Sequence, residues 1–261
     1  MKIINNIKEW KKIRGNLSDD LKIGFVPTMG CLHQGHASLI KNSVSQNDIT
    51  VLSIFVNPTQ FNDLSDYQHY PKTLDDDMEL ARQLNVDYVI TPDIDSMYPD
   101  GNQIHLVTDH PLSSVMEGYY RPKHFNGVLT IVMKLLILIH ANKIYFGEKD
   151  YQQYFLVSEL IKKYFVKTEI ILCPTVRELS GLPFSSRNTK LSINEKQLIE
   201  TFYDFFYNHR PHSLNLIKEK LLKLKIQYDY FETHDDRLFF ALKIGSIRII
   251  DNFKEAALYV N

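Results

Sequence analysis

Cysteine is scarce. Of 261 residues only Cys31 and Cys173 carry a thiol, far apart and outside any CxxC pair, which argues against a disulfide framework and a cysteine-built zinc site. A reducing, cytoplasmic compartment is the expectation. Excess charge of either sign is also missing. Thirty basic residues stand against thirty-one acidic ones, a net charge of −1, so no global positive field recruits nucleic acid or an anionic membrane. Any anionic ligand has to be met by locally placed cations. Long apolar runs are absent as well: the most apolar stretch, Val128 to Ala141, is too short to span a bilayer and contains Lys134. The amino-terminal Met1-Lys2-Ile3-Ile4-Asn5-Asn6 lacks the apolar stretch of a secretion signal, so the expectation is a soluble, unexported protein with no nucleic-acid and no membrane partner. There is no repeat and no low-complexity tract.

What is present is 44% apolar residues, ample for a sizeable buried core. The runs Lys22 to Val26, Ile49 to Val56, Val86 to Ile90, Lys143 to Phe146 and Thr168 to Leu172 are short and β-branched or aromatic, as strands buried on both faces require. Between them lie helical patterns at roughly Gly35 to Gln46, Leu74 to Leu84, Gly127 to His140 and Tyr151 to Phe165, with apolar residues three or four apart. This alternation predicts an α/β fold with a Rossmann-like parallel sheet. After Cys173 the texture changes. A loop, Pro174 to Leu191, leads to a capping box, Ser192-Ile193-Asn194-Glu195, for a helix running to about Asn208. A second helix follows Ser213, then strands at Tyr228 to Thr233, Phe239 to Ile244 and Ile247 to Ile250, the last two joined by a Gly-first turn at Gly245-Ser246. The expectation is a domain of residues 1–175 followed by a small α+β domain of residues 176–261.

In parallel sheets ligands bind beyond the carboxyl ends of the strands, where loops enter helix amino termini. The first predicted strand leads into Pro27-Thr28-Met29-Gly30-Cys31-Leu32-His33-Gln34-Gly35-His36, which puts two imidazoles at such a turn. They suit phosphate, although an HxxH pair also reads as a metal half-site. It is not HExxH and not a GxxxxGK[ST] loop. The second strand leads into Asn57-Pro58-Thr59-Gln60, whose amides can orient a hydroxy acid or simply cap the loop. Arg121, Lys123 and His124 precede a helix, as a binding rim or as a solvated basic loop. Gly147-Glu148-Lys149-Asp150 again links a strand to a helix; Lys149 suits phosphate and Asp150 a ribose hydroxyl. Ser185-Ser186-Arg187-Asn188 adds hydroxyls and a guanidinium. Singly these are weak signals, but together they fall at the turns of one sheet edge and at the entrance to the small domain.

The stretches VPTMGCLHQGH (Val26 to His36), IFVNPTQF (Ile54 to Phe61), RPKHFNG (Arg121 to Gly127), FGEKDYQQ (Phe146 to Gln153), PTVRE (Pro174 to Glu178) and SSRN (Ser185 to Asn188) occur in that order. In them the chain resembles the pantoate-beta-alanine ligase family of the HIGH-motif nucleotidyltransferase superfamily. The resemblance implies ATP-dependent condensation of pantoate with beta-alanine through a pantoyl adenylate, releasing AMP and pyrophosphate. It implies that His33, His36, Lys149, Ser186 and Arg187 carry the chemistry, and that Met29, Gly147, Asp150, Val176 and Ser185 complete the ATP site. Pro27, Met29, Asn57, Gln60, Arg121 and Gln153 are implied for pantoate and beta-alanine, with His124 on the same rim. It further implies magnesium accompanying ATP, with ligands unassigned, a homodimer, and a small domain that closes over the site. Asp75, Asp76 and Asp77 lie in a plausible region for the metal but read equally as the first turn of a helix. Two departures stand out: Lys123 replaces the usual glycine of RPGHF, and Pro183-Phe184 precedes SSRN where the family has a small residue and methionine.

Two rival readings remain. One is a nucleotidyltransferase of the same superfamily that keeps the nucleotide in its product; amides rather than extra cations on the acceptor side favour a carboxylate without a phosphate. The other is a silent nucleotide- or RNA-binding module, which near-zero net charge disfavours.

Overall fold

A computed structural model of the chain describes residues 1–99, 104–208 and 214–254 and divides into two compact units, Met1–Pro174 and Thr175–Asn261. In chain order the first unit comprises β1 (Lys2–Ile4), α1 (Ile7–Asn16), β2 (Ile23–Thr28), α2 (Gln34–Gln46), β3 (Ile49–Ile54), α3 (Leu64–Gln68), α4 (Leu74–Gln83), β4 (Tyr88–Ile90), α5 (Ile94–Met97), α6 (Glu117–Tyr120), α7 (His124–Ile139), β5 (Lys143–Gly147), α8 (Tyr151–Lys163) and β6 (Glu169–Cys173). The strands form one parallel sheet in the order β1-β4-β3-β2-β5-β6. β2 and β3 are buried almost throughout, as strands with helices on both faces are, and are apolar apart from Thr28, Thr50 and Ser53. Apolar clusters cover both faces: Trp10 with residues of α7 and α8 on one, and residues of α2 and α4 on the other. Helix α2 lies so close to β2 that a Cβ on Gly24 would fall 2.2 Å from Ser43 Oγ.

The elements the apolar pattern missed include β1, α1 and the short helices α3, α5 and α6. Two of the three β1 residues are exposed, and α1 fully buries Trp10 alone, its indole Nε1–H donating to Leu138 O at 2.8 Å, with Ile7 and Ile13 half-buried against the same core. β1 is too short to show an alternation, and the apolar spacing of α1 amounts to Ile7, Trp10 and Ile13 among mostly charged residues.

From β2 the chain moves outward through β3 and β4, then crosses back to β5 on the other side of β2, so the strand order reverses between β2 and β5. At such a switch point the loops leaving the two strand ends diverge and open a crevice. The β2–β5 register runs through Gly24↔Lys143 and Phe25↔Ile144, and β2 continues past it through Pro27, whose missing N–H asks nothing of a neighbouring ladder there.

The second unit holds α9 (Ile193–Asn208), α10 (Leu214–Lys223) and an antiparallel sheet of β7 (Gln227–His234), β8 (Arg237–Ile244) and β9 (Ile247–Lys254). The expected α/β domain followed by a small α+β domain is therefore the observed architecture. The capping box forms: Glu195 accepts the Ser192 N–H at 2.8 Å, and the Glu195 N–H donates to Ser192 Oγ at 3.3 Å. Gly245 takes φ +56° at the first position of the two-residue turn joining β8 to β9. Ser213, which heads the second helix in the sequence reading, lies outside the described residues. Neither Cys31 nor Cys173 is in a disulfide.

Candidate active site

The loop leaving β2 turns through two residues of positive φ, Gly30 (+79°) and Cys31 (+50°), before α2 starts. Asp77 holds this turn. The carboxylate is almost fully buried and accepts the Cys31 N–H at 2.9 Å and the Leu32 N–H at 2.7 Å. Of the three aspartates in the first turn of α4, Asp77 thus has both oxygens committed to the loop, whereas Asp75 and Asp76 are exposed.

The imidazoles of the HxxH pair form a reciprocal cap on α2. His33 Nδ1 accepts the Gly35 N–H at 3.1 Å, and His36 Nδ1 accepts the His33 N–H at 3.3 Å. A backbone N–H can only donate, so each Nδ1 is an acceptor and each ring carries its proton on Nε2. Two N–H donors are thereby fixed at a helix amino terminus, where the peptide dipoles already favour an anion. Burial, then the Lys149 charge, lowers the His33 pKa from 6.5 to about 4, with Asp150 opposing. Burial, then His33 and Lys149, pushes His36 well below its ordinary value. Both rings are neutral donors at neutral pH.

The lowered pKa values make stability depend on pH. The unfolded chain protonates these histidines below about pH 6.5, whereas folded His33 resists protonation down to about 4. Between those values the unfolded state binds more protons, so their contribution is complete above pH 6.5 and declines as pH falls towards 4. The wild-type melting temperature should therefore drop from pH 7 to pH 5 more than that of a His33→Asn/His36→Asn variant. Parallel curves would contradict the neutral-pair assignment.

Beside β2, the strand β5 ends at Gly147, and Glu148–Asp150 form a single turn leading into α8. Lys149 lies 3.5 Å from Asp150 and close enough to both histidines to move their pKa values. A Cβ on Gly147 would meet nothing within 4 Å, so space is open there. The β2 and β5 ends thus bring His33, His36, Lys149 and Asp150 together, all four only partly buried.

The turn after β3 supplies the amides. Asn57 is buried and does cap Pro58–Gln60, its Oδ1 accepting the Thr59 N–H at 3.4 Å. Its Nδ2 donates to Gln60 Oε1 at 3.0 Å, and Gln60 Nε2 approaches Met29 Sδ at 3.2 Å. Of the two alternatives in the sequence, loop capping is what the structure shows for Asn57. Arg121 donates to Gln60 O at 3.3 Å and pairs with buried Glu117 at 3.4 Å, while His124 Nδ1 meets the same Gln60 O at 2.8 Å. The β2 turn, the amide turn and the RPKHFNG segment are thereby joined through Met29 and Gln60. Gln153 sits half-buried on α8; its buried neighbour Gln152, which sequence reading passed over, binds Leu112 O, Val115 O and the Glu117 N–H.

Lys123 occupies the left-handed region (φ +66°, ψ 0°) at the start of α7. A glycine adopts that conformation without strain, whereas a residue bearing a Cβ is penalised by about 1 kcal/mol. Lys123→Gly should raise stability by roughly 0.5–1 kcal/mol in denaturant melts. A destabilised variant would contradict this.

In the second unit Val176, Ser185, Ser186 and Arg187 belong to the loop before α9. Val176 O accepts the Phe184 N–H at 3.1 Å, and Ser185 Oγ accepts the Arg187 N–H at 3.3 Å, which folds Ser186–Lys190 into a short 3-10 turn. Among the described residues no group of three or more His, Cys, Asp or Glu is arranged to hold a metal, and no helix is long and apolar enough to cross a membrane.

A family profile described as pantoate-beta-alanine ligase matches residues 2–254. A curated pantothenate synthetase of Legionella pneumophila (strain Corby) is 49% identical over 253 residues, 97% of this chain and 99% of that one. The crystal structure of pantoate-beta-alanine ligase from Francisella tularensis, complexed with beta-gamma ATP and beta-alanine, superposes with a TM-score of 0.95 at 43% identity, covering 98% of each chain. Pantothenate synthetase from Thermus thermophilus superposes with a TM-score of 0.89 at 32% identity over the full length of both.

Proposed function

Because the chain belongs to the pantoate-beta-alanine ligase family, we propose that its β2–β5 crevice holds ATP against pantoate and that the residues gathered there carry the reaction. The chain is an ATP-dependent, AMP-forming carboxylate–amine ligase that condenses pantoate and beta-alanine to pantothenate. The observation supporting the site is the shared electrostatics of His33, His36 and Lys149 at adjacent strand ends.

In the first step a pantoate carboxylate oxygen attacks the α-phosphorus and pyrophosphate leaves. A carboxylic acid is already ionised at neutral pH, so no protein base is needed. What is needed is in-line placement and neutralisation of charge on the phosphates. The Nε2–H groups of His33 and His36 donate to phosphate oxygens, and Lys149 supplies the positive charge beside them. Met29, Gly147 and Asp150 face the nucleoside, in keeping with the open space at Gly147. Pro27, Met29, Gln60 and Gln153 line the pantoate subsite, with Asn57 behind Gln60 and Arg121 and His124 towards beta-alanine. In the second step the beta-alanine nitrogen, as free amine, attacks the acyl carbon; AMP departs and the nitrogen loses its proton. Val176, Ser185, Ser186 and Arg187 are proposed as nucleotide-binding groups contributed by residues 176–261.

Magnesium is proposed as a companion of the ATP phosphates. Asp77 has its carboxylate committed to backbone N–H groups and fits a metal poorly, whereas Asp75 and Asp76 are exposed and would be the free carboxylates of that turn. A homodimer in the cytoplasm completes the proposal.

The test is turnover of the purified protein with pantoate, beta-alanine and ATP. Pantothenate, AMP and pyrophosphate should appear in equal amounts. Release of ADP and phosphate, or a product that retains the nucleotide, would contradict the reading.

A further inference from the structure

The amide of Gln60 has a defined polarity, and the groups that fix it lie behind it. Asn57 Oδ1 accepts three bonds, from the Thr59 N–H (3.4 Å), the Thr59 hydroxyl (3.0 Å) and the Tyr98 hydroxyl (2.6 Å). Asn57 Nδ2 donates two, to Gly127 O (3.2 Å) and Gln60 Oε1 (3.0 Å). The Thr59 N–H can only donate and the Gly127 carbonyl can only accept, so the Asn57 amide cannot be turned over without leaving both unmatched in a buried site. Gln60 Oε1 is thus held by an N–H, and Gln60 is left with its Nε2–H groups to offer. The partner within reach is Met29 Sδ at 3.2 Å, a weak acceptor that a substrate oxygen readily displaces.

Tyr98 is buried, its hydroxyl inside this network and the Lys134 ammonium 4.5 Å from its ring centroid, with Lys134 Nζ donating to Met97 O at 2.6 Å. Burial also pushes the phenol pKa up, which keeps the hydroxyl a donor. On the front side α7 crosses so close that a Cβ on Gly127 would fall 2.3 Å from Thr59 O.

We propose that Tyr98 is a positioning residue which, by donating to Asn57, holds the already polarised Asn57–Gln60 amide pair in place, so that Gln60 meets an acceptor-rich hydroxy acid at that subsite as a hydrogen-bond donor. The inference rests on the pantoate reading of Gln60 and deepens it. Tyr98→Phe removes one donor from Asn57 Oδ1 and should raise the KM for pantoate about tenfold, the equivalent of one hydrogen bond. The KM for ATP and kcat should stay within about threefold, less than half a decade on the same scale. In a Gln60→Ala background the same substitution should have no further effect on the pantoate KM, because the group it orients is gone. A purely structural role would instead lower thermal stability, leave the pantoate KM unchanged and act equally in both backgrounds; that pattern overturns the proposal. Thr59→Val, which removes the neighbouring hydroxyl donor, should shift the pantoate KM in the same direction and carries the test if the Tyr98 variant does not fold. A wild-type enzyme that turns over pantoate while Tyr98→Phe and Thr59→Val leave its KM unmoved sinks this inference alone; a wild type with no pantoate-dependent turnover removes the underlying reading and the inference with it.

Discussion

Lys149→Ala lowers turnover by about a hundredfold or more at saturating substrates while the protein still folds. The reasoning is electrostatic. Adenylation of a carboxylate brings an anion onto a polyanion, so its barrier is set by how much positive charge and how many fixed donors meet the phosphates at the moment of transfer. Loss of one such group from a water-poor site typically costs about 2–4 kcal/mol in the transition state. Lys149 extends from the turn after β5, its side chain 18% exposed, and pairs with the neighbouring, more exposed Asp150 at 3.5 Å. The Asp150 carboxylate that its removal leaves behind is exposed to solvent. His36→Ala should lower turnover comparably but is a less clean test, because His36 Nδ1 also accepts the His33 N–H and helps to cap α2. The check is kcat together with a thermal melt for each variant. An unchanged rate for Lys149→Ala, in a protein that melts like the wild type, refutes the role assigned to that ammonium.

Asp251→Asn destabilises the second unit by about 3–5 kcal/mol. Asp251 is fully buried on β9, and its two oxygens accept from both terminal nitrogens of Arg177 at 2.5 and 2.9 Å, from the Tyr203 hydroxyl at 2.9 Å and from the Asn252 N–H at 2.8 Å. Arg177 also donates to Gly181 O at 3.0 Å and lies 4.4 Å from the centroid of the Phe253 ring. Burial works against the guanidinium charge, and Asp251 more than offsets it. Neutralising Asp251 strands that charge in an aromatic core built from Phe202, Tyr203, Phe206, Phe240 and Phe253. Such a penalty should lower the melting temperature of the second unit by roughly 12–40 °C. Replacing both partners together, Arg177→Met with Asp251→Leu, should be less damaging than Asp251→Asn, since no unpaired charge remains. A single variant that melts within a few degrees of the wild type would contradict the clamp. Arg177 lies in the loop that carries Ser185, Ser186 and Arg187, so, on the proposal that these residues bind nucleotide, the same variant should also raise the KM for ATP.

The parts of this molecule that local pattern reveals are those whose neighbours demand a pattern. β2, β3 and β5 are rich in β-branched and aromatic residues because sheet neighbours and helices enclose them, and α2, α7 and α8 show apolar residues every third or fourth position because one side meets the sheet. β1 and α1 escape notice because β1 is a three-residue edge strand and α1 carries just three large apolar residues, Ile7, Trp10 and Ile13, among mostly charged ones. At the site, the HxxH pair and Lys149 stand out as residue types placed where a strand gives way to a helix. That the two imidazoles cap α2 and thereby fix their own tautomers is visible only in the fold. Asp77 and Tyr98 could not have been found by spacing, since each acts across more than forty residues, Asp77 on Cys31 and Leu32, Tyr98 on Asn57. An aspartate in a helix's first turn and a tyrosine in an MYP segment have ordinary local explanations. The Lys123 departure from glycine was legible in the letters; its backbone consequence, a left-handed residue bearing a side chain, was not.

The mechanism depends on pantoate meeting the α-phosphate of ATP before any amine takes part. Isotope exchange between pyrophosphate and ATP measures that step by itself. With wild-type protein the exchange should require pantoate, proceed without beta-alanine, and fall by about a hundredfold or more in Lys149→Ala. Exchange that is indifferent to pantoate, or that starts only when beta-alanine is added, would contradict the account.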